Sequence, residues 1–468
     1  MNDTTTATSP AMPTAFPVPG SFPVSQRITL LCGTPDAVIH YTVDGFDPTA
    51  ESPAFDAFQP VVLEAVNDGD RGVKTHYTIK ARAIAAGGEA SAVATLPYVI
   101  DRRSKDVYLA EELHPGIFQI RDFDDTKMML VVGSKRALLL DAGLGNGDLR
   151  AFVEARIGGL PLDLVISHGH PDHIAAMGQF QGNRYDVYLN HRDAPMVEHF
   201  SASMNLGIDL ARTIDLTEGM VFDLGDRRLE VFEVPGHSPG HVVLFDAENG
   251  LLFASDAIGS NRASIPDSLW MQFPGMSPID EYLSALLVFR SKVSGIKETY
   301  GGHNDAVIYG ETYLDNLQQA AQALVDRGPD ILVPSLRPTD AWQSVVGDRL
   351  TDPNWAAINV NKETCLSVPY RQIDTLANLQ LGAGQLTPGF RPLTTSYTVE
   401  VAASTVGLDI IPTTTSSRCA ALRVNGAPVR SGERLGVELA VGSTPIDILV
   451  TAPDGETIRS YTVMVTRG

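Results

Sequence analysis

Apolar and polar positions follow one another in different rhythms along this chain. From about Pro17 to Ile100 they alternate in short runs, RITLLC, AVIHYTVDG, HYTIKARAIA and ATLPYVI, each broken by Gly, Pro or Asp. Alternation with frequent breakers predicts a small all-β sandwich. The same rhythm returns near the C-terminus in SYTVEV, AALRVNGAPV, IDILVTAPDG and SYTVMV, with hairpin turns at Asn425-Gly426 and Asp454-Gly455. This predicts a second sandwich in which SYTVEV and SYTVMV are the first and last strands of one domain.

Between them, over roughly 104–380, strand and helix patterns alternate. MMLVVGSKRALLLDAG reads as a hairpin, DLRAFVEARI as a helix, LDLVISH as a buried strand and RLEVFEV as a strand. HVVLFDAENGLLFASD reads as a hairpin, and SPIDEYLSALLVFRSKV and ETYLDNLQQAAQALVDRG as helices. Strand pairs mixed with helices predict an α/β domain with its site at strand ends. The expected organisation is a disordered lead over 1–16, a β-sandwich over 17–101, an α/β domain over 102–382 and a β-sandwich over 383–468.

Composition narrows the function classes. A chain of 468 residues, 44% hydrophobic and 19% charged, is folded and large enough for two to four domains. No apolar run approaches the ~20 residues of a membrane span. Asp+Glu outnumber Lys+Arg by 56 to 35, giving a formal charge of -21, which disfavours a phosphate-tracking or anionic-membrane partner. Acids and bases cancel at seven each within 390–468, so the negative charge lies upstream. The expected partner is a small molecule, with no nucleic acid and no membrane. Cys32, Cys365 and Cys419 are odd in number and far apart, which provides neither a disulfide framework nor a CxxC site. The N-terminus has no positive, apolar leader pattern, so the chain as given is expected in the cytoplasm, and in the periplasm or outside the cell if a signal had been removed.

The candidate chemistry is concentrated. LDLVIS runs into His168-Gly169-His170-Pro171-Asp172-His173, and an apolar strand ending in imidazoles and a carboxylate is what a metal site needs. With 11 His and 56 acids in the chain, His-x-His-x-Asp/Glu-His arises by chance at roughly 10⁻⁶ per position. His237, Asp256 and His303 recur at similar strand-end or Gly-flanked positions. Gly236-His237-Ser238-Pro239-Gly240 also matches GxSxG, but an oxyanion hole there needs the N–H of the residue after the serine, which Pro239 lacks.

In order and spacing, His-x-His-x-Asp-His, Gly-His-Ser-Pro-Gly-His, Ser-Asp-Ala and Gly-His, with LLLDAG upstream, resemble the metallo-β-lactamase superfamily and its αββα fold. The resemblance implies one metal on His168, His170 and His237, a second on Asp172, His173 and His303, and Asp256 bridging them. It implies hydrolysis by a metal-bridging hydroxide, with Asp172 also orienting it and passing a proton to the leaving group. Nitrogen and oxygen donors suit zinc, and the same set admits manganese or iron. The full ligand set is similar to glyoxalase II, lactonases and related esterases, so an ester or lactone is the expected substrate. Phosphodiester or thioester hydrolysis is the alternative, and single-iron dioxygenases share part of the set.

Other candidates have two readings each. His241 is either scaffolding or a substrate contact. Arg262 is an anion clamp or a solvated arginine. Trp270 and Met271, in an aperiodic loop after Asp256, are an apolar pocket wall or pins to the core. IHYTVDGFDPT, Ser52 and TIKARA resemble the C-terminal module of chitobiases and β-hexosaminidases, and the last domain resembles a cadherin-like sandwich. These modules imply scaffolding, carbohydrate contact or pairing of like chains, and a glycan-binding surface protein is the reading from another class.

Overall fold

The structure, a computed structural model, describes residues 9–22, 26–35, 37–56, 61–63, 74–101, 108–122, 126–145, 147–182, 184–259, 269–271, 275–303, 307–334, 342–347 and 355–468.

The central domain follows the alternation in its sequence. Four parallel strands, Ala137–Leu140, Leu162–Ile166, Asp186–Leu189 and Ile214–Asp215, continue into an antiparallel meander of Lys127–Val132, Ile117–Arg121 and Leu109–His114. Leu162–Ile166 is buried throughout, as a strand covered on both faces should be. A second sheet orders Val221–Asp223, Arg228–Glu233, Val242–Asp246, Leu251–Ser255, Glu298–Gly301 and Val307–Tyr309. Val165, Leu138 and Met129 of the first sheet pack against Leu229, Leu244 and Phe253 of the second.

Helices cover the outer faces. α1 (Leu149–Glu154), α2 (Pro171–Ile174) and α3 (Ala194–Met204) lie with the first sheet, where Leu149, Val153, Ile174 and Val197 join its outer core. α4 (Ile279–Lys292) and α5 (Thr312–Arg327) cover the second through Leu283, Leu286, Leu317 and Leu324. The segment after α5 adds strands Trp342–Val346 and Ala356–Val360, and the latter pairs in parallel with Leu269–Met271. Trp270 and Met271 were expected in an aperiodic loop and lie instead in a strand, because Ala356–Val360 offers them a partner far along the chain.

Both flanking regions are sandwiches. In the N-terminal one, Ile28, Leu63, Ile79 and Tyr98 fill the space between two sheets. Thr14–Phe16 pairs with Thr29–Leu31, so the end of the expected disordered lead is an edge strand. Residues 1–8 lie outside the described residues. In the C-terminal sandwich Ser396–Val401 and Ile458–Arg467 are parallel neighbours. Leu376–Leu381 pairs with Gly407–Thr414 of the same sandwich, which moves its beginning ahead of the expected boundary at 383. This sandwich is docked on α4 and α5: Ser417 N–H and Oγ donate to the Asp326 carboxylate at 2.9 and 2.5 Å, and Gln322 Nε2 donates to the Thr415 carbonyl at 3.0 Å.

Candidate metal centre

The strands of the two sheets end at one edge, and the polar residues that follow them converge there. His168 follows Leu162–Ile166, His237 lies between Arg228–Glu233 and Val242–Asp246, Asp256 follows Leu251–Ser255, and His303 follows Glu298–Gly301. His170, Asp172 and His173 come from the turn into α2, with Pro171 as its first residue, where the fixed ring angle and missing N–H fit a helix start.

Seven side chains meet in three overlapping groups whose donor atoms lie within 4.8 Å of one another: His168, His170 and His237; His168, His173 and Asp256; Asp172, His173 and His303. His170 Nδ1 is 3.0 Å from His168 Nε2 and 2.9 Å from His237 Nε2. Asp256 Oδ2 stands 3.3 Å from His303 Nε2, 3.4 Å from His237 Nε2, 3.5 Å from His173 Nε2 and 3.9 Å from His168 Nε2. Asp172 Oδ2 is 3.2 Å from His303 Nε2 and 3.4 Å from His173 Nε2.

The outward nitrogens of three imidazoles are engaged, so their other nitrogens face inward. His173 Nδ1–H donates to Asp141 Oδ2 at 2.9 Å, His237 Nδ1–H to the Trp270 carbonyl at 2.7 Å, and His168 Nδ1 meets Ser167 Oγ at 2.9 Å. Outer acceptors of this kind fix the tautomer and leave the inner nitrogen a lone pair. His173 Nε2 is buried with no hydrogen-bond partner, a costly state that a cation would relieve. The residues therefore fit a divalent metal.

Asp141 organises this base. Besides His173, it accepts from Ser167 N–H at 2.8 Å, Ser167 Oγ at 2.9 Å and Ser255 Oγ at 2.8 Å. Asp141 and Ser255 both hold positive φ, 70° and 46°, strain that this network offsets. Gly302 is required for a different reason: a Cβ there would lie 2.1 Å from Asp256 Oδ1. Its carbonyl accepts from Lys127 N–H at 2.7 Å, which fastens the His303 loop to the first sheet.

Electrostatics divides the imidazoles. Burial, reinforced by neighbouring imidazoles, holds His168 and His241 well below the usual range and His170 down at about 3. For His173 and His303 burial also opposes protonation, but Asp172 and Asp256 outweigh it and raise both well above the usual range. Burial would raise Asp172 and Asp256; His173 and His303 override it and hold both well below the carboxylate range.

Access is one-sided. His168 and His173 are fully buried, whereas His170, Asp172 and His303 are partly exposed. His241 is fully buried too, stacked on His168 with ring centroids 4.5 Å apart. It is scaffolding, and the substrate-contact reading is corrected by its burial. Met271 is likewise packed in the core of the second sheet, which removes it from a pocket wall. Trp270 is half-buried and supports His237 through its carbonyl. Arg262 lies outside the described residues. Ser238 is fully buried and its Oγ donates to Asp193, so it has no access as a nucleophile. Asp141, Ser167 and Asp193 were not singled out from the sequence, although Asp141 lies within the quoted LLLDAG run.

Residues 121–335 match the model of the metallo-beta-lactamase superfamily, 375–468 that of a cadherin-like beta sandwich domain, and 17–95 that of a chitobiase/beta-hexosaminidase C-terminal domain. The chain is 30% identical over 177 residues to the acyl-coenzyme A thioesterase MBLAC2 of Gallus gallus, covering 31% of this chain and 64% of that protein. It is 25% identical over 165 residues to the hydroxyacylglutathione hydrolase GloC of Haemophilus influenzae, covering 32% of this chain and 76% of that one. Among solved structures, a metallo-beta-lactamase from Pontibacter korlensis is similar at 14% identity and a TM-score of 0.37, over 43% of this chain and 93% of that one.

Proposed function

The central domain of this chain belongs to the metallo-beta-lactamase superfamily, and from that premise we propose that the protein is a metal-dependent hydrolase that opens an acyl bond at the cluster around Asp256. The observation that carries this reading is a shared oxygen. Asp256 Oδ2 lies within 3.9 Å of the Nε2 atoms of His168, His237, His173 and His303, and a common carboxylate offsets the repulsion between two neighbouring cations. We assign His168, His170 and His237 to one divalent ion, Asp172, His173 and His303 to a second, and Asp256 to both. Zinc suits these donors, with manganese or iron admitted by the same set. Such ions make water nucleophilic at neutral pH and polarise a carbonyl oxygen.

The chain's own groups set the direction of approach. Because His168 and His173 close the back, substrate enters between His170, Asp172 and His303. Asp172, held strongly ionised by His173 and His303 against its burial, accepts a hydrogen bond from the attacking water and orients it. We favour a thioester over the ester or lactone first expected, a choice supported by the acyl-coenzyme A thioesterase among the relatives.

The test is metal content of the purified chain together with cleavage of acyl thioesters, esters, lactones and phosphodiesters before and after chelation. The expected result is bound divalent metal and chelator-sensitive thioester cleavage. Cleavage of phosphodiesters alone, or turnover unaffected by complete metal removal, would overturn it.

A further inference from the structure

Two loops that carry histidines of the cluster, 168–170 and 237–241, come from different sheets, and besides the Val242 N–H to Ser167 carbonyl hydrogen bond at 2.9 Å beside them they share contacts with a side chain belonging to neither. Asp193, at the start of α3, is fully buried. Its Oδ2 accepts from Gly169 N–H at 2.8 Å and from Ser238 Oγ at 2.6 Å, and its Oδ1 accepts from Gly240 N–H at 2.6 Å. One oxygen thus reaches between His168 and His170, while both reach the turn that carries His237. We propose that Asp193 is a positioning residue that clamps the His168, His170 and His237 group into one geometry, an inference that rests on the reading of the cluster as a metal centre.

The two glycines mark how closely this carboxylate is embraced. A Cβ on Gly240 would lie 2.9 Å from the backbone nitrogen and Oδ1 of Asp193, and one on Gly169 would lie 3.3 Å from Asp193 Cβ and 3.2 Å from Val197 Cγ2. The first contact is with backbone, which has nowhere to yield. Gly169 and Gly240 are therefore the residues that let the clamp close, which gives a physical reason for glycine within both histidine motifs. A carboxylate is also the group the three donors need. It offers acceptor sites only, whereas an amide turns one of its two sides into a donor and leaves one loop's N–H buried without a partner. Asp193 touches none of the seven cluster side chains in any contact the structure gives, so its effect on a bound ion has to pass through the loops.

The experiment compares the full chain with Asp193→Asn, Ser238→Ala and Gly240→Ala. Thermal melting reports folding, graded chelator competition reports zinc affinity, and the visible spectrum of the cobalt(II)-substituted protein reports ligand geometry. The expected result is a folded Asp193→Asn protein that loses one of its two zinc ions at roughly 10–100-fold lower chelator than the unaltered chain. Its cobalt(II) spectrum changes, and kcat falls with KM nearly constant. Gly240→Ala reproduces this from the opposite side of the contact, and Ser238→Ala, which removes one donor of three, gives a smaller shift in the same direction. A folded Asp193→Asn protein with unaltered zinc affinity and cobalt(II) spectrum would overturn the proposal. If that variant does not fold, unaltered zinc affinity in both Ser238→Ala and Gly240→Ala overturns it. Failure of the unaltered chain to bind zinc or cobalt(II) would instead refute the metal-centre reading before any variant is compared, so the two failures are separable.

Discussion

The proposed division sets His168, His170 and His237 against Asp172, His173 and His303, with Asp256 grouped with His168 of the first and His173 of the second. The first group contributes no carboxylate of its own, and burial keeps His168 and His170 neutral. The second pairs an ionised Asp172 with imidazoles that carboxylates drive toward the protonated state. The first group therefore favours a cation over a proton, whereas the carboxylates of the second favour protons on its imidazoles, and any proton there must leave before a cation binds. Equal donor numbers do not make equal sites, because the local charge decides what has to leave.

The most damaging change should fall on what both groups share. Asp256→Asn is expected to lower metal affinity on both sides and kcat/KM by more than roughly 100-fold, the upper end of what loss of an outer supporting partner costs; chelator competition and thioester kinetics check this. His170→Ala and His303→Ala sharpen the comparison, since each should remove turnover and one ion while both sandwiches remain folded. Full activity in His170→Ala would break the account.

Asp141→Ala acts one step further out. It leaves Ser167, Ser255 and His173 without their acceptor, and should weaken the ion of the second group by roughly 10–100-fold and that of the first by less, since His168 is reached only through Ser167. Metal content after graded chelation measures the asymmetry, and equal loss from both groups would count against separate control of the two halves.

Acid should separate the halves without any mutation. The raised values of His173 and His303 mean that, as pH falls, these imidazoles take up protons first and their ion is displaced. The first group holds its ion to lower pH through His170, which accepts a proton only near about 3, and through His168, which is likewise depressed. Metal content from about pH 8 down to about pH 5 should therefore drop in one step by half. Simultaneous loss of both ions would contradict the division.

The smallest effect belongs to the domain contact. Arg391 of the C-terminal sandwich reaches Glu233 Oε2 at 3.1 Å and is half exposed. Arg391→Ala should cost at most about 1 kcal/mol, visible as a slight fall in melting temperature with turnover unchanged.

Much of this centre was legible in the sequence because its seven side chains lie in compact motifs at the ends of apolar strands, where pattern marks both the strand and its terminus. Both hairpins of the central domain followed from the same rhythm. What was not legible depends on contacts between segments far apart. Asp193 in NHRDAP reads locally as a helix start, and nothing in that run tells that its carboxylate faces two loops of other strands. His241 lies in the same motif as His237, yet its backbone places its ring behind His168 rather than in front of it. Met271 seemed free for a pocket wall only because Ala356–Val360, its strand partner, carries no mark of the pairing.

If Asp256 joins two cation sites on which hydrolysis depends, zinc per chain and thioester cleavage, measured together through a chelator titration, must fall together. The expected result is two zinc ions per chain and activity that falls with their removal and returns on adding zinc back. A chain that holds no divalent metal, or that cleaves thioesters equally well when stripped of it, would contradict the claim.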